Sequence, residues 1–324
     1  MPFKLLPRLL VLFCLSLLIL VLGLLLGSVN LPLEAIVSVL SGQGAPLHKM
    51  LILELRLPRV LAAFATGGLL AVAGALMQVL LRNPLADPYI LGLSGGAAVA
   101  ALLTMLAGLG VFWVSSAAFT GALLSTFLVF GLAYGSGQSS ATRLLLTGVV
   151  VASGWGALIS FILATSQAQQ LPGMLYWLMG DLSHAPNPLI PWVVLLVVLC
   201  LLIPLGRTLN VLARGALQAA ALGVSVQKVE LLIFGLAALL TAIAVTLAGS
   251  IGFVGLIVPH LMRMLFGYDQ RILLPASALA GGSLLVLADT LARIIIAPQQ
   301  LPVGVITAML GVPVFLLLLY RSNR

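Results

Sequence analysis

Apolar residues run along this chain in long blocks divided by short polar punctuation. A helix that crosses a membrane needs about 20 mainly apolar residues. Ten such stretches stand out, near 9–28, 60–81, 90–107, 112–133, 143–165, 189–205, 230–249, 253–266, 273–295 and 303–320. The alternation of a barrel strand is absent, and backbone groups in lipid must bond within their own segment, so each block is predicted to be a helix. The eighth is short and carries Pro259, which leaves its limits least defined. The first follows Lys4 and Arg8 as a signal peptide would, but its apolar run from 9 to 26 is too long and no A-x-A site follows. It reads as an uncleaved span. The expected fold is all-α: a polytopic membrane protein of about ten transmembrane helices in a single transmembrane domain, 1–324.

Two segments between blocks are too long for turns. Residues 206–229 (GRTLNVLARGALQAAALGVSVQK and the residue after it) are too weakly apolar to span, and their Leu and Ala spacing predicts two short helices on the membrane surface, with Gly223 as a stop. Residues 166–188 hold LPGMLYWLMGDLSHAPNP, whose aromatic and proline content predicts a short interfacial helix.

Composition hardens this picture. Of 324 residues, 62% are hydrophobic and 7% charged, against about 45–50% and about 25% in soluble domains. The solvent is lipid, which excludes a soluble enzyme or zinc protein. Cys14 and Cys200 lie inside apolar runs at no metal or disulfide spacing and read as lipid- or core-facing fillers. The net charge of +8 is a topology signal rather than a nucleic-acid footprint. An even number of spans puts both termini on one side. With that side inside, Lys4, Arg8, Arg82, Arg143, Arg207, Arg214, Lys228, Arg263, Arg271, Arg321 and Arg324 fall inside, while Lys49, Arg56, Arg59 and Arg293 fall outside. Eleven against four is the direction the positive-inside rule requires, so both termini are expected to be cytoplasmic.

Three absences bear on function. No G-x-x-x-x-G-K-[ST] occurs, so the chain carries no phosphate cradle for ATP. The deep parts of the spans hold no carboxylate of the kind that couples ion-driven carriers. Asp87, Asp181, Asp269 and Asp289 form no pair spaced to hold Mg²⁺. A transporter energised by another subunit's ATP fits all three. Glycines four residues apart (Gly23/Gly27, Gly92/Gly96, Gly131/Gly135) point to close helix packing.

Local motifs leave alternatives. Gly92-Leu93-Ser94-Gly95 is similar to the G-x-S-G of intramembrane serine proteases, with His260 at the inside end of another span; the bland reading has Ser94 capping a span and His260 bonded to backbone freed by Pro259. An ion-coupled secondary carrier is the third reading. Asp289 and Arg293, four apart, read as a structural ion pair. Arg56 and Arg59, in RLPR, read equally as snorkelling side chains or as a basic patch for the carboxylates of an external protein.

The runs GLLAVAGALMQVLLRNPLADPYILGLSGGA (68–97), AGSIGFVGLIVPHLMRMLFGYDQRILLPASALAGG (248–282), LADTLAR (287–293) and LPVGVITAMLGVPVFLLLL (301–319), with RLPR before them, resemble the permease subunits of the FecCD-like, type II ATP-binding-cassette importers of iron chelates, haem and cobalamin. In length and block spacing the cobalamin permeases look most similar. The resemblance implies a bacterial inner-membrane homodimer with its pore at the interface, two cytoplasmic ATPase subunits that use ATP and Mg²⁺, a periplasmic binding protein, and alternating access. No cofactor is expected on this chain. Carried over by residue, Arg56, Arg59 and Arg293 match the outer arginines that dock the binding protein. Arg214, Gln218, Leu222 and Gly223 lie in the stretch matching the ATPase coupling helices, where Ala216 replaces a usual acid. Asn83, Leu85, Ser140, Ala141 and Thr142 match the cytoplasmic gate. Leu171, Gly173, Trp177, Gly180 and Ser183 lie in the matching periplasmic gate loop. Gln300 stands where the family usually has an acid before LPVG.

Overall fold

The helix around which the others pack is α4, Leu57–Leu80. Twenty of its 24 residues are buried, from Val60 through Leu80, and none of those twenty is charged. The computed structural model describes residues 6–29, 31–134, 141–183 and 187–322. Around α4 stand α1 (Leu6–Leu25), α9 (Leu189–Leu212), α11 (Val226–Ala248), α12 (Val254–Phe266) and α13 (Gln270–Ile294). The group α5 (Leu93–Leu106), α6 (Val111–Tyr134) and α7 (Ala141–Thr165) joins this core chiefly through α6 and α5 against α11, and α14 (Val303–Ser322) packs on α12 and α13. Short helices complete the chain: α2 (Leu33–Leu40), α3 (Pro46–Lys49), α8 (Leu171–Leu178) and α10 (Ala216–Ala221). No strand occurs among the described residues.

The expected ten spans are present as eight long apolar helices and two short ones, α5 and α12. At 1.5 Å per residue, 24 residues reach about 36 Å, enough for a hydrocarbon core of about 30 Å, whereas α5 and α12 reach only about 20 Å. The rest of their path is non-α chain: residues 81–92, which include a short 3-10 helix, Pro88–Leu91, and residues 249–253. Much of that backbone packs against protein, which is how non-helical backbone is tolerated at such depth: a Cβ on Gly255 would meet Pro88 and the Leu70 carbonyl. Side chains such as Phe112, Phe127, Val150 and Ile190 stand exposed on the bundle's outside, as do Cys14 and Cys200.

Backbone contact fixes how closely α4 is held. A Cβ on Gly67 would land on the carbonyl of Gly281 in α13, and one on Gly74 on the carbonyl of Gly255 in α12. Such small-residue contacts replace the hydrophobic drive that lipid does not supply. Of the four-spaced glycines, Gly23 packs against Val60 and Val286, and Gly96 against Gly121. Gly131 meets nothing nearby, and Gly135 lies outside the described residues.

Two boundaries differ from expectation. Residues 206–229 do not form two surface helices. The buried positions Leu202, Gly206, Leu209 and Leu212 continue the stripe of α9 at three- and four-residue spacing, so that helix runs on to Leu212. Gly215 then takes a φ of 143°, open only to glycine, and only α10 remains free before Gly223 (φ 79°) turns the chain into α11. At the other end, α4 is continuous with α3 through a π-helical stretch, Met50–Arg56, making one helix from Pro46 to Leu80. The wider turn lies just ahead of Pro58, whose ring lacks the N–H that an α-helix would give to residue 54. The short helix expected within 166–188 is α8.

Candidate functional site: the two charged ends of the bundle

Helix α13 links two polar clusters, one at each of its ends. The first gathers Arg56, Arg59, Asp289 and Arg293. Asp289 is 1% exposed and lies between two guanidinium groups. Arg59 donates to it through Nε (3.0 and 3.1 Å) and Nη2 (2.8 Å), a two-pronged pairing across 230 residues of sequence. Arg293 reaches it from one turn away at 3.0 Å. The fourth member, Arg56, has no carboxylate. Its guanidinium donates to the carbonyls of Leu24 (2.7 Å), Leu25 (2.9 Å) and Val29, while Arg293 also donates to Gly23 (3.1 Å) and Leu26 (3.3 Å). Those are among the last carbonyls of α1 and the turn after it, the negative end of its dipole, so the two arginines cap that helix. A Cβ on Gly27 would crowd both guanidiniums.

Of the arginine trio carried over as docking residues, two are enclosed. Arg56 and Arg293 are 7% and 5% exposed and turn inward. Snorkelling fails, because α1 carbonyls and Asp289 offer better partners than interfacial water. Arg59 alone keeps a partly open side chain. It also donates from Nη1 to Gln300 Oε1 at 2.7 Å, so the neutral residue at that position still accepts a hydrogen bond. The expected Asp289–Arg293 pair is present, but Arg59 as the third member had no local signal in sequence.

Beside this cluster lies the expected outer gate segment. Tyr176 donates to the Gln300 carbonyl (3.2 Å), the N–H of Asp181 to Ala248 (2.9 Å) and that of Val303 to Gly180 (3.0 Å), which laces α8 to the ends of α11 and α14. Gly180 is buried with φ 82°; Leu171 is half-buried, and Gly173 and Ser183 are exposed. Trp177, Gly173 and Ser183 line a cavity of about 770 Å³ between α8, the α5–α6 turn and α11.

The second end gathers Arg82, Asn210, Arg214, His260, Arg263, Asp269 and Gln270 around a cavity of about 700 Å³. Arg8 donates to the Leu265 carbonyl at the same end. Arg82 pairs with Glu230 at 3.2 Å. Arg263 donates to Gln78 Oε1 (2.8 Å), whose amide donates in turn to the Leu256 carbonyl (3.1 Å). Arg214 forms no ion pair among the described residues. It leads into α10, in and just after which Gln218, Leu222 and Gly223 are exposed. In the loop after α4, Asn83 accepts from the Leu85 N–H (2.9 Å), a local turn bond. Thr142 is exposed in the first turn of α7, which Ala141 begins, and Ser140 lies outside the described residues.

Asp269 caps α13, accepting from the Arg271 N–H (3.1 Å), its Nη2 (2.6 Å) and Asn210 Nδ2 (3.0 Å). The Arg271 hydrogen bond, helped by Asn210, holds its carboxyl down at about 2. The folded-state value lies below the unfolded one of about 4, so its stabilisation is complete above about pH 4 and is lost as pH falls through about 2. Asp269→Asn is therefore expected to flatten the fall in unfolding temperature over that acid window while leaving the profile from pH 5 to 8 parallel to the wild type. Thermal unfolding of the purified chain against pH checks it; an identical acid limb would refute the assignment.

Ser94 and His260 form no dyad. No hydrogen bond joins them, and Nδ1 of His260 has no partner. Ser94 lies in the first turn of α5, one residue from Gly95, which packs under Trp155. Trp155 donates to Ser125 and Ser125 to the Gly92 carbonyl, both at 2.8 Å, tying α7 and α6 to that turn. His260 does not take the carbonyl that Pro259 frees: that carbonyl is Gly255's, pressed against Gly74.

The class these features define is a multi-span α-helical membrane protein whose polar contacts are gathered at its two ends. The chain belongs to the FecCD transport family, whose model matches residues 13–321. Within that family it is a permease subunit of an ABC importer. It is 42% identical to the uncharacterised ABC transporter permease protein YvrB of Bacillus subtilis, over 94% of this chain and 90% of that one. It is 44% identical to the cobalamin import system permease protein BtuC of Halobacterium salinarum (82% and 72%) and 41% identical to the hemin transport system permease protein HmuU of Yersinia pestis (84% of each). Among solved structures, it superposes on an inward-facing ABC transporter assigned to the metal-chelate type, with a TM-score of 0.87 and 31% identity, over 97% of this chain and 99% of that one.

Proposed function

We propose that two copies of this chain form the pore of an ATP-driven importer in a bacterial inner membrane. The pore takes cobalamin or an iron chelate such as haem or a ferric siderophore from a periplasmic binding protein. The arginine-rich end carrying α10 faces the cytoplasm, in keeping with the eleven-to-four distribution of basic residues. Separate ATPase subunits dock there, and their closure on ATP moves α10 with its flanks, Arg214 to Gly223, so that the spans rock. The loops at Asn83, Leu85 and 140–142 gate the inner side, and α8 with residues 171–183 gates the outer side. Docking of the binding protein falls to Arg59 and the rim around it, since Arg56 and Arg293 are held inside. Affinity for the ligand resides in the binding protein, and one chain of this length serves as one membrane domain.

The observation that carries this reading is α10. Six residues long and held chiefly by α9 and α11, it leaves Leu217, and Leu222 at its C-cap, 88% and 71% exposed beside an arginine cluster. Apolar side chains so placed, away from the spans, call for a protein partner. Leu217→Asp with Leu222→Asp is expected to weaken co-purification of the cognate ATPase by 10-fold or more, given about 1.5–3 kcal/mol for each buried leucine. Membrane insertion should be unaltered. Undiminished ATPase binding would overturn the coupling role. In vesicles holding the full assembly, uptake should require ATP and survive collapse of the proton gradient; the converse would return the ion-coupled carrier.

A further inference from the structure

The 700 Å³ cavity at the α10 end shares Arg214 with the coupling segment, and its walls are rich in basic side chains. Arg82, Arg214 and Arg263 contribute three guanidiniums and His260 an imidazole; Arg82 is paired with Glu230 at 3.2 Å, and the one carboxylate on the wall, Asp269, is already occupied by Arg271 and Asn210. Arg214 has no counter-charge among the described residues. Two further groups wait for a partner: Gln270, 2% exposed, whose Oε1 bonds to nothing, and His260, whose buried Nδ1 does the same.

We propose that this cavity binds a phosphate group, held by Arg82, Arg214 and Arg263. Arginine forks match phosphate oxygens two at a time, and basic pockets between membrane helices are a recurrent place for anionic headgroups. Met264 lines the same mouth, 61% exposed, with Leu265 and Tyr268 exposed next to it on α12 and just beyond. That apolar lip suits the acyl chains of an anionic phospholipid better than a free phosphate ion. The site lies between α4, the α9–α10 turn, α12 and the start of α13, so its ligand would brace the element that carries Arg214. This site is independent of the importer reading and of which side this end faces.

The test uses the purified full chain in detergent, stripped of lipid, titrated with dioctanoyl phosphatidylglycerol, dioctanoyl phosphatidylcholine and inorganic phosphate. Saturable binding and a raised unfolding temperature are expected with phosphatidylglycerol and not with phosphatidylcholine. Arg82→Gln with Arg214→Gln should weaken phosphatidylglycerol about 25-fold, from about five-fold per cation removed. Lysine at both positions should restore most of it. If inorganic phosphate binds with the same loss in the double variant, the site stands and its ligand is soluble. Should the double variant not fold, Arg214→Gln alone, at an exposed side chain, is expected to cost about five-fold. The proposal falls if neither anion binds saturably, or if these variants bind as the wild type does.

Discussion

Asp289→Ala is expected to destabilise the protein by about 3–5 kcal/mol, because it strands two guanidiniums that share one carboxylate. Asp289 is 1% exposed, Arg293 is buried and Arg59 nearly so, which leaves little water to take over the charge. Arg56 adds a third positive group beside them, received by the carbonyls of Leu24, Leu25 and Val29. The loss should appear as a fall of about 10 °C in the unfolding midpoint in detergent, with α1 detaching first, since Arg56 and Arg293 hold its last turn. Arg293→Met in the same chain should recover part of that loss by removing one uncompensated charge, a non-additivity that a double-mutant cycle reads directly. If Asp289→Ala unfolds at the wild-type temperature, the cluster is not a paired site and the account of α1's anchoring fails.

Gly74→Leu is the second large effect. The Cβ alone would coincide with the Gly255 carbonyl, and the obstacle is backbone at the centre of the bundle rather than a side chain able to swing away. Overpacking in a core costs about 1–3 kcal/mol where neighbours can shift. Here α12 must move bodily, and with it Arg263, which is tied to Gln78 one turn along α4. The expected result is loss of the monodisperse species on size exclusion, against near-normal behaviour for Gly131→Leu, a helical glycine with nothing nearby. Equal behaviour of the two variants would show that α4 and α12 are not held by backbone contact.

The contrast between these sites shows how much could be read in advance. The spans were legible because transfer of a 20-residue segment into lipid is a sum over neighbours in sequence. Gly215 and Gly223 mark breaks beyond α9 and α10 by backbone rules equally local. Asp289 and Arg293 were legible as a pair because four residues make one helical turn. Arg59 was not, because it joins them across 230 positions. The direction of Arg56 was not legible either: an arginine at a span end can turn to water, to a partner or to a neighbouring helix terminus, and only the position of α1's last carbonyls decides. The extension of α9 into the segment read as surface helices rested on leucines whose burial depends on α4 and α13 being beside them.

By itself the sequence determined that lipid is the solvent, that about ten helices cross it, that most arginines gather at one end, and to which family the chain belongs. The tertiary structure decided which of those helices is the core. Lipid and protein interior are both apolar, so hydropathy cannot tell α4, almost wholly enclosed, from α9, largely exposed on the outside. That choice is made by shape, where glycine lets one backbone meet another, and by the few charges that find each other across the fold.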